Sequence, residues 1–336
     1  MSDWFRSLTG VRESDYAATQ AQFDLDGDTL LSRANGRAFH VGTLTTPSLG
    51  ELRERARALV RDDAPRPRVS VTSADVIDLH RQAGLHGAVF QVASQFNLLE
   101  MTGPDVTPED GVTRYWSDRT QGPACAVAAA GATIYRNYFV PVQGGVGQTH
   151  DRQIDCLADL GAALGNADGA LWEMRNGYAL CSEAGLASID ARLAASTPAE
   201  VDALRDLLRV GVHADVEVTA TGAPEGQRVT QVFCSALPVR YTSVPPERWT
   251  SFATLVLEGA YEATLWAAAL ESWRGARPIV FLTMLGGGAF GNDPAWIHAA
   301  IRRAVAVVRS VHLDVRLVSR GAPSPTLRAL VEELNG

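Results

Sequence analysis

The amino-acid sequence predicts a three-layer α/β fold built on a mixed, mostly parallel central sheet. Segments of strand and helix character alternate from about residue 85 to the C-terminus, the pattern of parallel strands joined through helices. Residues 279–285 are hydrophobic except for Thr283, as expected where a central strand is covered on both faces. The stretch PIVFLTMLGGGAFGNDPAWIHAAIRRA (278–304) carries that strand through a glycine-rich loop into an amphipathic helix.

The elements follow in order. Residues 1–37 are mixed and polar, suiting surface helix and turns, and 37–43 suit a first strand. The turn Thr45-Thr46-Pro47-Ser48 leads into a charged helix, 49–60. Pro65 and Pro67 mark a connector, the one plausible boundary, which divides an N-terminal elaboration (1–66) from the core (67–336). A short strand at 69–72, a helix at 74–82 and a strongly apolar strand at 87–93 come next. Residues 97–118 lack periodicity and are rich in acids and prolines, so they form a long loop. The small residues of 123–131 suit a helix and 133–142 a strand. An amphipathic helix is expected at 151–164, and one or two more at 184–209. Strands 216–219 and 229–239 pair across a turn at 222–226. A long helix, 247–273, then precedes the glycine-loop unit, and a helix at 294–310 leads to a last strand at 313–318.

Composition narrows the function. Of 336 residues, 46% are hydrophobic and 20% charged, which suits a folded core rather than bulk disorder. The net charge of −8 argues against an electrostatic nucleic-acid partner. The longest apolar run, 124–134, is too short to cross a bilayer, and residues 1–10 hold Asp3 and Arg6 with no long apolar core. Cys125, Cys156, Cys181 and Cys234 have no CxxC spacing and are expected to be reduced thiols of a cytoplasmic protein. The histidines form no HxH or HxxxH pair, and Asp24-Leu25-Asp26-Gly27-Asp28 lacks the distal Glu of a calcium loop. Neither a metal nor another cofactor is expected.

Four glycines among residues 286–291 let backbone N–H groups crowd toward one point. Asn292-Asp293-Pro294 is a helix start, and the helix adds free amides and the positive end of its dipole. This suits phosphate, and diphosphate best. The motif alone is matched equally by a tight turn. A P-loop would end in Gly-Lys-Ser/Thr, and a dinucleotide fold would carry its glycines after the first strand.

The flanks decide. The helix at 247–273 contains Glu258-Gly259-Ala260-Tyr261-Glu262-Ala263-Thr264-Leu265. Helix, strand, glycine loop, helix and strand, with this AY…L pair, resemble the C-terminal half of the macrodomain superfamily, which implies a macrodomain-like fold. There the loop wraps the diphosphate and distal ribose of ADP-ribose. The resemblance therefore implies ligand contacts from Gly286, Gly287, Gly288, Ala289, Phe290, Gly291 and Asn292. Family loops carry Ser-Thr-Gly where this chain has Gly286-Gly287-Gly288, so it is the backbone cradle that carries over, not the hydroxyl contacts. Phe290-Gly291 fills the aromatic-glycine positions. VFQVASQFN (89–97) stands where family strands end in an Asn near the distal ribose, which implies that role for Asn97.

Further motifs, Pro108-Glu109-Asp110-Gly111, Asp118, TQGPAC (120–125) and YRNYF (135–139), resemble a divergent macrodomain branch. That branch is related to poly(ADP-ribose) glycohydrolases and includes enzymes that remove ADP-ribose from ubiquitin arginine. The resemblance covers roughly residues 85–336. It implies ADP-ribose and ADP-ribosylated protein, ubiquitin among the candidates, as partners, with no nucleic acid or membrane.

Cleaving C1″ of ADP-ribose from a side chain passes through an oxocarbenium-like state. The reaction calls for one carboxylic acid on the leaving group and one carboxylate to stabilise the cation or activate water. Asp110, Asp118 and Glu109 are the candidate catalytic residues, with Glu100 and Asp105 ranked behind. Taken alone, Glu109-Asp110-Gly111 is ordinary turn composition; its place after Asn97 favours chemistry. Arg136, between aromatics, is expected to pair with a loop acid. Asn176-Gly177-Tyr178 suits an ordinary turn better than an aromatic wall for adenine. Trp249 and Cys125 are read as core, although a thiol hydrolase on Cys125 is a third reading. An ADP-ribosyl hydrolase and a non-catalytic ADP-ribose-binding module both remain open, and turnover separates them.

Overall fold

A computed structural model describes residues 3–61 and 65–336 of the chain. Seven strands form the central sheet: β1 (Thr43–Thr45), β2 (Arg68–Ser73), β3 (Val89–Ala93), β4 (Gly211–Glu217), β5 (Arg228–Cys234), β6 (Ile279–Leu282) and β7 (Asp314–Ser319). Their spatial order is β1-β4-β5-β3-β6-β7-β2. The five from β5 to β2 run parallel, and β4 and β1 add antiparallel pairs at one edge. The strands in the middle are those buried most completely. β3 is buried over four of its five residues, and β5 over six of seven. Phe90 of β3 lies opposite Phe281 of β6, the rings stacking at 4.6 Å.

Helices cover both faces. One layer contains α1 (Leu49–Arg57), Glu183–Ala195, Pro198–Asp206, α4 (Thr250–Trp273), α5 (Pro294–Val307) and α6 (Pro325–Asn335); the other contains Val76–His80, α2 (Gln121–Ala128) and α3 (Ala130–Tyr138). α4 is buried along most of its length and includes a fully buried acid, Glu262. That carboxylate is matched by Arg53 of α1 at 2.6 Å and by Arg303 of α5, so three helices meet at one charge cluster. Asp202 bonds both arginines as well, so each charge of the cluster keeps a second partner. Among the described residues, no helix is long and apolar enough to cross a membrane.

Residues before the connector divide between two cores. β1 and α1 belong to the central sheet and its main core. Helices Trp4–Thr9 and Tyr16–Gln20 and the small sheet Phe23–Asp26, Thr29–Ser32, Ala38–His40 form a second core. There Phe5, Phe23, Leu30 and Phe39 pack with Val112, Tyr115, Ile134 and Tyr138. Gly27, with φ +57, turns the first hairpin of this sheet, so the aspartates at 24–28 belong to a hairpin and its turn.

Two expected elements are corrected. Residues 133–142 are mostly not a strand: α3 runs to Tyr138, and only Pro141–Val142 pair with Gly145–Val146. Arg136 and Asn137 between the tyrosines are both buried by polar partners, Arg136 Nε donating to Leu98 O and Asn137 Nδ2 to Pro108 O. The helix expected at 151–164 is only Ala158–Leu164. Asp155 Oδ1 accepts from Leu157 N, and Cys156 N donates to Phe96 O, which holds the preceding residues out of the helix.

Candidate functional site

The C-terminal ends of the parallel strands open on a cleft of about 300 Å³, the place where ligands bind in open α/β sheets. Ala93 ends β3 there, Ala236 follows β5, Thr283 follows β6, and Val318 lies on β7. Tyr261 on α4 fixes the exit of β6: its hydroxyl donates to Thr283 O at 2.7 Å and accepts from Leu285 N at 2.9 Å. Gln91 inside β3 accepts from Thr283 N at 3.2 Å.

The glycine loop then closes on itself. Gly286 has φ +72, and a Cβ there would lie 2.4 Å from Ala236 Cβ. Gly291 has φ +75, and its Cβ would lie 2.4 Å from Arg240 Cγ. Asn292 N donates to Gly286 O at 3.0 Å, and Asn292 Nδ2 donates to Leu237 O at 2.8 Å. Arg240 adds bonds to Phe290 O and Gly288 O. With the carbonyls so occupied, the amides of Gly288, Ala289 and Phe290 find no acceptor among the described residues, and all three residues line the cleft. Three successive free amides form an anion-binding concavity.

Not every loop residue faces the ligand side. Gly286, Gly288, Ala289 and Phe290 line the cleft. Gly287, Gly291 and Asn292 border a second hollow, with Arg240 and Trp296. A Cβ on Gly287 would lie 3.0 Å from Ile297 Cδ1 of α5, and Asn292, 2% exposed, is a brace for the loop.

Aromatic rings form the wall beside the amides. Tyr178 lies 5.4 Å from Phe290 and 5.2 Å from Tyr241, ring centre to ring centre. Asn176 (φ +47) and Gly177 (φ +79) join Trp172–Arg175 to Tyr178–Cys181 as a two-residue hairpin turn, and so deliver Tyr178 to the cleft. The Tyr178 hydroxyl donates to Met101 O at 2.7 Å. The turn is ordinary, yet it presents the aromatic wall; sequence spacing gives no sign that the two roles coincide.

The acids separate by environment. Asp118 lines the cleft half-buried and takes one bond from a described residue, Thr120 N to its Oδ1 at 2.8 Å. Asp110 does not line it: Oδ2 accepts from Thr107 N at 2.9 Å and caps its own turn. Glu109 accepts from His150 N and pairs with His150 Nδ1 at 2.9 Å. Burial would raise the Glu109 carboxyl, but the His150 bonds outweigh it and hold it below its ordinary value. Both expected catalytic carboxylates, Asp110 and Glu109, are thus engaged outside the cleft. Asp105 is exposed and pairs with Arg175.

Asn97 is fully buried; Nδ2 donates to Gln153 Oε1 at 2.8 Å and Oδ1 accepts from Leu99 N at 3.1 Å, so it braces the start of the loop and does not line the cleft. Glu100 does border the cleft, 1% exposed, and neither carboxylate oxygen has a hydrogen-bond partner. Burial pushes its carboxyl up to about 8, against the pull of Arg136 at 3.7 Å. Arg136 is fully buried, with its guanidinium 3.9 Å over the Phe233 ring, and the expected pairing with a loop acid is the one with Glu100.

TQGPAC contributes more than sequence alone suggests. Gln121 at the start of α2 accepts from Ala93 N and donates to Gln91 O, sealing the end of β3 against the cleft. Cys125 is fully buried, and burial pushes its thiol well above the ordinary range, which removes the thiolate a nucleophile needs. Trp249 is fully buried as expected. Among the described residues, no three His, Cys, Asp or Glu side chains cluster to hold a metal ion.

No protein-family model and no curated protein matches the chain. Among solved structures, it is similar to a poly(ADP-ribose) glycohydrolase from Thermomonospora curvata (16% identity, 94% of each chain, TM-score 0.48). It is also similar to the poly(ADP-ribose) glycohydrolase from Deinococcus radiodurans in complex with ADP-ribose (16% identity, 88% of this chain and 94% of that one, TM-score 0.45). The apo form of the latter enzyme is similar over 97% of each chain, at 13% identity and a TM-score of 0.44.

Proposed function

We propose that this protein is an ADP-ribosyl glycohydrolase that releases ADP-ribose from modified protein side chains. The observation that carries the reading is the sharing of one cleft by three free amides, Gly288 to Phe290, and the carboxylate of Asp118. Amides with no internal acceptor suit a diphosphate without needing a basic surface, in keeping with the net charge of −8. Tyr178, Tyr241 and Phe290 offer rings to the nucleoside parts.

Hydrolysis at C1″ needs two carboxyl groups of different proton affinity. Asp118 is the carboxylate that stabilises the cation or activates the incoming water. Glu100, which borders the same cleft and whose carboxyl burial pushes up against the pull of Arg136, is the other carboxyl of the pair. Water adds to C1″ as the bond to the side chain breaks, and one proton passes to the leaving group. Arginine-linked ADP-ribose on ubiquitin is the substrate that the motifs around Asp110, Asp118 and Arg136 favour.

One observation favours a non-catalytic binding module instead: Glu109 and Asp110 are both engaged outside the cleft, leaving fewer acids for chemistry. Incubation with Arg-, Ser- and Glu-linked ADP-ribosylated proteins, followed by detection of free ADP-ribose, decides between the two. Release that depends on Asp118 and not on Cys125 supports the hydrolase; tight ADP-ribose binding with no release on any linkage supports the module.

A further inference from the structure

The segment that carries Asp118 into the cleft is gripped by residues of the N-terminal part of the chain, before the motifs at 85–336. Glu13 Oε1 accepts from Val112 N at 2.8 Å and from the Tyr138 hydroxyl at 2.7 Å, and Glu13 Oε2 accepts from Thr113 N at 2.6 Å. Trp4 Nε1 donates to Thr113 O at 2.9 Å from the other side. Gly111 leaves room for this grip: its φ is +76, and a Cβ would lie 2.4 Å from Glu13 Cδ. The chain then makes a single tight turn, Thr113–Ser117, with Tyr115 buried, and delivers Asp118.

The geometry points to Glu13 as a positioning residue for the glycohydrolase reaction, holding the Asp118 segment in register with the glycine loop from a separate core. The inference rests on the hydrolase reading for its kinetic consequence, and on the hydrogen bonds alone for its structural one. Both Glu13 oxygens are used, and charge-assisted bonds to backbone amides are stronger than neutral ones. Anchoring two successive amides fixes the backbone where the turn begins, five residues before Asp118. Glu13 touches neither the cleft nor the glycine loop, so ADP-ribose affinity should not depend on it.

The test uses the full chain with E13Q and E13A. Turnover, ADP-ribose affinity by calorimetry and amide hydrogen exchange are measured on each. E13A should lower kcat by about 10- to 100-fold, the scale of an ångström-sized misplacement, with KM and the ADP-ribose Kd within about twofold. E13Q, which keeps the shape and part of the accepting capacity, should fall between E13A and the parent chain. Exchange at Val112 and Thr113 should accelerate in both variants while the sheet stays protected. Accelerated exchange with unchanged kcat overturns the positioning role, as does loss of Kd in parallel with kcat. If the parent chain releases no ADP-ribose, the hydrolase reading fails by itself. Unchanged exchange at Val112 and Thr113 would then also refute the clamp.

Discussion

The two loops that meet at the cleft are made in opposite ways. The glycine loop, residues 285–292, takes its course from its own backbone, with two left-handed glycines, an Asn that bonds back to Gly286 and a helix cap immediately after, and Tyr261, Leu237 and Arg240 brace it from outside. The acid loop, residues 97–118, has short local turns, such as the Thr107–Asp110 cap, but is held in place by side chains from elsewhere: Glu13, Trp4, Asn137, His150 and Gln153. The first loop offers dipoles fixed by local geometry. The second offers a carboxylate whose position depends on distant parts of the chain. A local motif should therefore tolerate distant mutation, while the acid loop should not.

The largest effect expected tests the acid loop. Asp118→Ala should lower turnover by about 100- to 10,000-fold, the range of a positioned acid or base, with ADP-ribose affinity little changed. Equal loss of affinity would make Asp118 a ligand-holding group and erase the division between the loops.

On the glycine loop, the informative position is Gly288, whose added Cβ would meet nothing within 4 Å and which lines the cleft. Gly288→Glu should weaken ADP-ribose binding at least about 100-fold, or roughly 2.7 kcal/mol, by placing negative charge at the free amides. Its melting temperature should match that of the parent chain. Gly287→Glu should instead lower the melting temperature, because its side chain starts against Ile297 of α5. Identical behaviour of the two variants in calorimetry and melting would contradict the assignment of faces.

Ligand itself should stabilise the fold. ADP-ribose at about 100 times its Kd should add about 2.7 kcal/mol, read as a rise in melting temperature. No binding at millimolar concentration would remove the anion cradle from the argument.

A smaller effect concerns Glu100. Its proton is held more tightly in the folded state, about 8 against 4.5 for an exposed carboxyl, so stability falls as pH rises through that interval. Burial lowers His80 from 6.5 to about 4, which gives the opposite slope between those two values. Glu100's contribution therefore stands out between pH 6.5 and 8, where its slope reaches roughly 1.4 kcal/mol per pH unit. Urea unfolding across that range should show a flatter profile for E100Q than for the parent chain; superimposable profiles would refute the buried carboxyl's role. The smallest change expected is for Asp110→Ala, which loses a cap on Thr107 and about 1 kcal/mol of local stability. Its effect on turnover should be far below that of Asp118→Ala.

By itself the sequence determined the features whose physics is local. The apolar run after Pro278, the glycines that follow and the Asn-Asp-Pro start define strand, loop and helix, because each depends on burial periodicity, φ freedom or capping within a few residues. Tyr261, picked out within its helix, proved to hold the strand exit, and Arg136 found its loop acid. Tertiary structure alone decided which of five acids enters the cleft. Glu109, Asp110 and Asp118 lie within ten residues of one another and look alike in composition; the local turns at Thr107 and Thr120 engage Asp110 and Asp118, but only folding brings His150 to Glu109 and sets Asp118 at the cleft. The same holds for Asn97, turned inward by Gln153, and for residues 133–142, a helix to Tyr138 where a strand is expected. Backbone dipoles are written into the chain at the point where they act, whereas a side chain's proton affinity and direction are set by neighbours that only folding brings together.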